Sequence, residues 1–207
     1  MFLKTLVVGP LAANCYLIGC PETKEGAVID PGAEGEKILA AAREADLKIK
    51  YIINTHGHLD HISANGTIKK ATGAEVLIHS ADASCLTDPK RNLSVMAGAS
   101  ITSPAADRLL EEGSIIKIGK TITLEVIHTP GHTLGGICLK GENEVFTGDT
   151  LFAGSIGRTD FPGGSYRDLI DAVRKKLFTL DESLKVYPGH GPSSTIGTEK
   201  AENPFFS

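Results

Sequence analysis

A His-rich loop, residues 55–61 (Thr-His-Gly-His-Leu-Asp-His), follows a mostly apolar run that is typical of a β-strand. His56 and His58 are two residues apart, so on extended backbone both rings leave the same side of the chain. Asp60 and His61 come where the chain would turn into a helix, so they approach from another direction. Neutral imidazole and carboxylate are ligands for zinc, manganese and iron. The loop therefore predicts ligands for two neighbouring metal ions. The alternative is a surface loop that happens to be rich in histidine, although the chain has only 7 His.

Three more candidate ligands, His132, Asp149 and His190, occupy similar places in the sequence. Each follows a predicted strand and is bracketed by Gly or Pro. Functional residues are commonly carried on loops at strand ends, and glycine lets the backbone crowd a metal centre. If the strands share a direction, all these ligands converge on one edge. The other two histidines, His79 and His128, lie near strand ends without a motif, and we expect a structural role for them.

Alternating strands and helices must position these loops. Strands are predicted at 2–8, 14–19, 26–30, 49–53, 75–78, 114–118, 121–127, 136–139, 144–147 and 184–187, and helices at 33–45, 61–71 and 166–178. Between residues 80 and 106 the periodicity weakens, and a loop of this length is often a lid. Each half consists of strands flanked by helices, without a visible sequence repeat. We expect one domain spanning residues 1–207.

Composition narrows the class of protein. The chain has 207 residues, 41% of them hydrophobic and 22% charged, as in soluble globular domains. The net charge of −4 shows no basic surplus, which argues against a nucleic-acid partner. Four scattered cysteines without a C-x-x-C pair predict reduced thiols and a cytoplasmic location. The apolar stretch ending at Cys20 looks like a lipoprotein signal, but Pro10 and Asn14 interrupt it, so no membrane association is expected.

The motifs T-H-G-H-L-D-H, P-G-H, G-D-T-L-F and P-G-H-G together resemble those of the metallo-β-lactamase superfamily. The resemblance implies an α/β fold, a four-layer αββα sandwich with metals at one edge of its sheets. Within the superfamily the chain is most similar to short glyoxalase II-like hydrolases that end soon after the last histidine ligand. It further implies two divalent ions, zinc first and iron or manganese as alternatives. In that scheme His56, His58 and His132 hold the first ion, Asp60, His61 and His190 hold the second, and Asp149 bridges both.

A pair of divalent ions held in this way indicates a hydrolase. Two ions can lower the pKa of a shared water towards neutrality, and one of them can polarise the attacked carbonyl. A thiolate leaving group, whose conjugate acid has a pKa of about 8.5, needs little protonation. The resemblance thus predicts a thioesterase for S-lactoylglutathione-like substrates, with Asp60 and Asp149 as catalytic carboxylates. The expected partner is a small-molecule thioester, and the expected state is a monomer or small homo-oligomer.

Arg158 is the candidate substrate-binding residue. In long glyoxalase II enzymes a C-terminal helical domain helps to bind glutathione, and no such domain is expected within these 207 residues. Gly157-Arg158-Thr159-Asp160 lies where those enzymes place a lysine and a tyrosine that contact glutathione. Arg158 keeps the cation and is predicted to bind a substrate carboxylate, whereas Asp160 replaces the tyrosine and predicts weak glutathione binding. The alternative is a local ion pair between Arg158 and Asp160.

Other functions within the same fold stay open. G-R-T-D-F also occurs in persulfide dioxygenases, which use one iron, but their last motif usually reads P-A-H-D-Y where this chain has P-G-H-G-P. A bridging Asp149 argues against a β-lactamase, because those relatives lack a bridging carboxylate at that place. A non-catalytic metal-binding module would have lost ligands, and all seven are present.

Overall fold

Two six-stranded sheets form the centre of the molecule in a computed structural model that describes residues 1–206. The first sheet has the order β1-β2-β3-β4-β5-β6, with β1 Phe2–Val8, β2 Ala13–Gly19, β3 Glu25–Ile29, β4 Lys48–Ile53, β5 Glu75–His79 and β6 Arg108–Leu110. The second has the order β14-β13-β10-β9-β8-β7, with β7 Ile115–Ile118, β8 Ile122–His128, β9 Ile137–Lys140, β10 Glu144–Gly148, β13 Lys185–Pro188 and β14 Ser194–Thr195. Strands β11 Leu151–Phe152 and β12 Ser155–Ile156 pair separately. The α-helices are α1 Gly35–Glu44, α2 Leu59–Ile62, α3 Asn65–Thr72, α4 Tyr166–Ala172 and α5 Ile196–Glu202.

Three clusters of apolar side chains pack the sheets and helices together, and alternate residues of β2 contribute to two of them. Every residue of β2 is buried. Alternate side chains leave opposite faces of a strand, so Leu17 joins a cluster with Ile38 of α1 and Ile68 of α3. Ile18 instead joins the cluster between the two sheets. A third cluster lies between the second sheet and helix α4. Each fully buried aliphatic side chain contributes about 1.5–3 kcal/mol. The layers confirm the predicted αββα sandwich.

The strands that precede the candidate ligands in the second sheet share one direction. Strand β10 pairs parallel with β13 and antiparallel with β9, which in turn pairs antiparallel with β8. Strands β8, β10 and β13 therefore all end at the same edge of the sheet. The condition under which His132, Asp149 and His190 converge on one edge is therefore met in this sheet.

One predicted helix is interrupted. The helix expected at 61–71 is two helices, because the Ala64 N–H donates to the Pro31 carbonyl oxygen at 2.9 Å instead of continuing the helical ladder. The Asn65 side chain then turns inward and bonds to Asn54 and Ser103. The prediction of one continuous helix was wrong because a tertiary contact outweighs local periodicity.

Other boundaries also differ from the sequence pattern. The helix predicted at 166–178 is α-helical to Ala172, after which Val173–Leu177 forms a π-helix whose last bond runs from Phe178 N to Val173 O. The sequence pattern did not predict strands β6, β11, β12 and β14 or helix α5. Segments of two to seven residues show too little periodicity to be recognised.

The segment 80–106 is irregular, as predicted, apart from a 3₁₀ helix at Ser80–Leu86. A buried Asn92 organises it, since its side chain donates to the carbonyl oxygens of Cys85 at 3.0 Å and Ile101 at 2.9 Å. Its tip exposes Val95 and Met96. The role as a lid stays a prediction.

All four cysteines are free thiols, three of them buried and Cys85 half-buried, as the sequence pattern predicts. Within residues 1–206, none of the helices combines the length and the apolar character that crossing a bilayer requires.

Candidate metal centre

The residues predicted as first-ion ligands meet at the ends of β4 and β8. His56, His58 and His132 present ligand atoms within 4.8 Å of one another, and all three are buried. His58 Nδ1 lies 2.9 Å from His132 Nε2. His56 Nε2 is buried and has no hydrogen-bond partner among the described residues. A buried nitrogen without a partner is costly unless a cation accepts its lone pair.

The residues predicted as second-ion ligands form a neighbouring group. Asp60, His61 and His190 also present ligand atoms within 4.8 Å of one another. His190 Nε2 lies 3.3 Å from His61 Nε2 and 3.2 Å from Asp60 Oδ2. Helix α2 carries Asp60 and His61, whereas His190 follows β13 in the other sheet. The group therefore assembles only when the two sheets pack.

Asp149, directly after β10, lies between the two groups. Its Oδ1 is 3.5 Å from His61 Nε2, and its Oδ2 is 3.5 Å from His132 Nε2 and 3.6 Å from His190 Nε2. Oδ1 is buried without a hydrogen-bond partner in the described part of the chain. One carboxylate thus turns an oxygen towards each group, as a bridging ligand must.

Backbone carbonyl oxygens orient two of the imidazoles. Arg158 O accepts from His132 Nδ1 at 2.7 Å, and Leu11 O accepts from His190 Nδ1 at 3.1 Å. Because a carbonyl can only accept, these rings carry their proton on Nδ1 and present the Nε2 lone pair to the centre. The lone pairs converge where a divalent cation would relieve their repulsion, so the donor set fits two metal ions.

The sequence analysis missed Asp30, a buried carboxylate behind the centre. It accepts from Thr55 N at 2.7 Å and Thr55 Oγ1 at 2.6 Å, and its Oδ2 lies 3.2 Å from His61 Nδ1. Asp30 therefore fixes the start of the His-rich loop and places a carboxylate oxygen beside the His61 ring. Asp30 directly follows β3 and precedes Pro31, which is the same position after a strand that identified the candidate ligands. The sequence could therefore have indicated Asp30 as well.

Asp82, in the 3₁₀ helix Ser80–Leu86, was also missed. Its Oδ2 accepts from Gly57 N at 3.0 Å and its Oδ1 from Gly135 N at 2.7 Å, and the residue is buried. It ties the His-rich loop to the loop that carries His132. No sequence motif surrounds Asp82, so only the tertiary structure reveals this brace.

A residue of β2 and a glycine hold the loop of His190. The Asn14 amide group donates to the carbonyl oxygens of Pro188 and Gly191, each at 2.9 Å. A side chain at Gly189 would collide with the Asp149 carboxylate. The glycine is therefore required by close approach, as the sequence analysis expected of the residues around the ligands.

The two groups differ in electrostatics. Burial, followed by the charge of His132 and His61, lowers the pKa of His58 to about 3. Burial also lowers the pKa of His61, but the carboxylates of Asp149, Asp30 and Asp60 outweigh it and raise that pKa to about 10. The first group thus presents neutral imidazoles, and the second concentrates negative charge that favours a cation.

The remaining histidines lie outside the centre. His79 and His128 stack on each other, with ring centroids 4.1 Å apart and planes 11° apart. Neither belongs to a group that could hold a metal among residues 1–206. This arrangement agrees with the structural role expected for them.

Arg158 lies beside the centre on the wall of a cavity of about 460 Å³. Its Nε and one terminal nitrogen donate to the Asp160 carboxylate at 2.9 and 2.7 Å. The local ion pair considered from the sequence is therefore present, and a direct role of Arg158 in substrate binding stays a prediction.

Comparisons with known proteins agree with this geometry. The chain is 39% identical over 211 residues to the hydroxyacylglutathione hydrolase GloC of Haemophilus influenzae, covering 100% of this chain and 99% of the relative. Its structure is similar to that of the B3 metallo-β-lactamase BLEG-1, with a TM-score of 0.94, 35% identity and full coverage of both chains.

Two further solved structures are similar. TTHA1623 in a di-iron-bound form has a TM-score of 0.86 and 36% identity, with 99% of this chain and 100% of that chain covered. ETHE1 from Myxococcus xanthus has a TM-score of 0.85 and 32% identity, with 99% and 84% covered. The family model of the metallo-β-lactamase superfamily matches residues 8–190, from the end of β1 to the last candidate ligand. The chain belongs to the metallo-β-lactamase superfamily.

Proposed function

We propose that this chain is a two-metal hydrolase that cleaves thioesters. The observation that carries the proposal is the position of Asp149, whose two carboxylate oxygens face two separate groups of His and Asp side chains. In this proposal His56, His58 and His132 would hold one divalent ion, Asp60, His61 and His190 would hold the other, and Asp149 would be a ligand of both. Ions bound there would supply Lewis acidity and would lower the pKa of a bound water towards about 7.

The protein's own groups have defined tasks in this reaction. The carbonyl oxygens of Arg158 and Leu11 keep His132 and His190 in the tautomer that presents Nε2. Burial by itself would raise the pKa of Asp60, but His61 and His190 hold it well below its usual range, so the carboxylate is ionised at neutral pH. Water adds to the thioester carbonyl, the carbon–sulfur bond breaks, and an acid and a thiol leave. The thiolate departs readily, since its conjugate acid has a pKa of about 8.5.

The whole-length similarity to GloC supports a thioester substrate, because its name describes a hydrolase of hydroxyacylglutathione. Zinc, iron and manganese all suit these ligands, and the di-iron form of TTHA1623 shows that a relative holds two irons. The similarity to BLEG-1 favours a second candidate, hydrolysis of a β-lactam amide. An amine leaving group must be protonated as it departs, which the thioester reaction does not require.

One set of assays tests the proposal. Purified protein loaded with zinc, iron or manganese is offered S-lactoylglutathione, a chromogenic cephalosporin, and glutathione persulfide with oxygen consumption recorded. We expect thioester cleavage and close to two metal equivalents per chain by elemental analysis. Cephalosporin cleavage with no thioester cleavage would favour the second candidate. Oxygen uptake with one iron per chain would instead assign a persulfide dioxygenase and overturn the proposal.

A further inference from the structure

The cavity beside the metal centre has apolar walls. Apart from the candidate ligands, its lining includes Leu11, Leu93, Met96, Phe152, Ile156 and Phe161. Phe161 packs its ring edge-on to His58 with centroids 5.8 Å apart, and Phe152 does the same to His190 at 6.2 Å. Both phenyl rings therefore flank the place where the scissile bond must lie. A charged group entering this cavity would lose its hydration without gaining polar partners from these walls.

Among the described residues, Arg158 is the single lysine or arginine side chain on the cavity wall. Its guanidinium group is already paired with a carboxylate. Two of its nitrogens donate to the two carboxylate oxygens of Asp160. The guanidinium carbon lies 4.2 Å from the centroid of the Phe161 ring, so one face of the group is also covered. Arg158 in turn lowers the pKa of Asp160, which keeps that carboxylate ionised at neutral pH.

We propose, on the basis of the proposed thioesterase function, that the cavity selects thioesters whose thiol portion is uncharged and apolar. Asp160 acts as the specificity-determining residue, because it occupies the guanidinium of Arg158 and keeps substrate carboxylates away from it. Asp160 lies two residues from Arg158 on the same loop, so its effective concentration is far above that of any free ligand. Glutathione, with two carboxylates and an ammonium group, has to displace Asp160 or leave its charges unpaired.

The kinetic test uses three lactoyl thioesters that differ only in the thiol, namely glutathione, neutral N-acetylcysteamine and apolar benzyl thiol. We expect kcat/KM to be highest for the benzyl thioester and lowest for the glutathione thioester. Asp160→Ala should raise the ratio of kcat/KM for glutathione over benzyl thioester by about fivefold, the upper worth of an exposed ion pair. The double variant Arg158→Ala/Asp160→Ala should lose that gain. Asp171→Ala is the matched control, because it removes an exposed carboxylate on α4 that pairs with Lys175, and it should leave the ratio as in the wild type.

A binding measurement gives a readout that does not depend on catalysis. Calorimetry on the metal-loaded protein compares S-benzylglutathione with the S-benzyl thioether of N-acetylcysteamine. The neutral thioether should bind more tightly, and Asp160→Ala should narrow the gap by about fivefold.

Several outcomes would overturn the inference. One is a preference for the glutathione compounds in the wild type, and another is a ratio that Asp160→Ala does not change. A third concerns a neighbouring cavity of about 300 Å³ that shares His58 and Leu93 with this one and borders Lys90 and Arg91. Weaker binding of S-benzylglutathione to Lys90→Ala/Arg91→Ala would place its charged end there and contradict the proposal. If none of the three thioesters is hydrolysed, the proposed function fails, while the calorimetry still decides the preference of the cavity.

Discussion

At the scale of single residues, hydrogen bonds behind the centre decide which atoms face it. An isolated imidazole exchanges freely between two tautomers, but a backbone carbonyl accepts from Nδ1 of His132 and of His190 and leaves Nε2 free. Asp30 places a carboxylate oxygen 3.2 Å from Nδ1 of His61. Partners of this kind are needed for metal affinity almost as much as the ligands themselves.

Asp149→Ala tests the bridging position. Because both carboxylate oxygens face candidate ligands, we expect the loss of at least one metal equivalent together with a fall in kcat of at least about 100-fold. Elemental analysis and steady-state kinetics on the same preparation check this. Asp181→Ala serves as control, because it removes an exposed carboxylate that accepts from Ser183. Two metals with full activity in Asp149→Ala would refute the bridge.

Asp30→Asn tests the residue behind the His-rich loop. Asp30 has a positive φ of 51°, which asparagine tolerates, so the backbone should persist while the charge is lost. We expect metal affinity to fall by about 10–100-fold, measured by competition with a chelating indicator. Exposed Asp46, with a φ of 54°, provides the matched control in Asp46→Asn. Equal affinity in the two variants would show that Asp30 acts on the fold alone.

At the scale of elements, side-chain hydrogen bonds tie loops and strands of the two sheets to one another. Asp82 bonds Gly57 after β4 and Gly135 before β9. The side chains of Asn14 and Tyr16 on β2 both donate to Pro188 O at the end of β13, the latter at 2.6 Å. These bonds fix the separation of the two ligand groups.

Asp82→Ala would leave two buried backbone N–H groups without an acceptor. Bonds to a charged acceptor contribute about 1.5–3 kcal/mol each, so the loss of both should lower the free energy of unfolding by about 3–6 kcal/mol. Urea denaturation of the metal-loaded protein measures it. Asp82→Asn keeps one carbonyl oxygen as acceptor and should lose about half as much. Equal stability of all three proteins would exclude the brace.

The stacked pair at the ends of β5 and β8 predicts a pH effect. Burial, followed by the charge of His128, lowers the pKa of His79 below its ordinary 6.5. The unfolded chain then binds a proton before the folded one does, so this contribution to stability is complete above about pH 6.5 and is lost as the pH falls below it. His79→Phe should flatten the decline in melting temperature between about pH 7 and 5 and keep the metal content. A loss of metal in this variant would contradict the structural role.

At the scale of the whole molecule, the metal centre joins the two sheets. One candidate ligand group draws on β4 and β8, and the other on α2 and the loop after β13. A bound ion therefore stabilises the packed state and has no comparable site in the unfolded chain.

Removing the metal should lower the melting temperature. An ion present at 1,000 times its Kd stabilises the folded state by about 4 kcal/mol, which corresponds to about 10 °C in a chain of this size. Calorimetric melting before and after chelation, then after metal is restored, measures the effect. An identical melting temperature in all three states would separate the centre from the stability of the sandwich.

The sequence by itself determined the ligand types and their places after predicted strands, while the fold was implied by the resemblance of the motifs to those of a known superfamily. The ligand types and their positions are local features, because the motif His-x-His-x-Asp-His can be recognised within one loop and strand periodicity within a few residues. The break between α2 and α3 was missed because the Ala64 N–H bonds to Pro31, a residue in another element.

Only the tertiary structure showed that Asp30 and Asp82 support the centre and that Asp160 engages Arg158 as an ion pair. It also decided which ring nitrogen of His132 and His190 faces the candidate metal centre and which side chains line the cavity. These properties depend on which atoms approach within about 3 Å after two sheets pack, and side chains far apart in sequence carry no local signal of that distance.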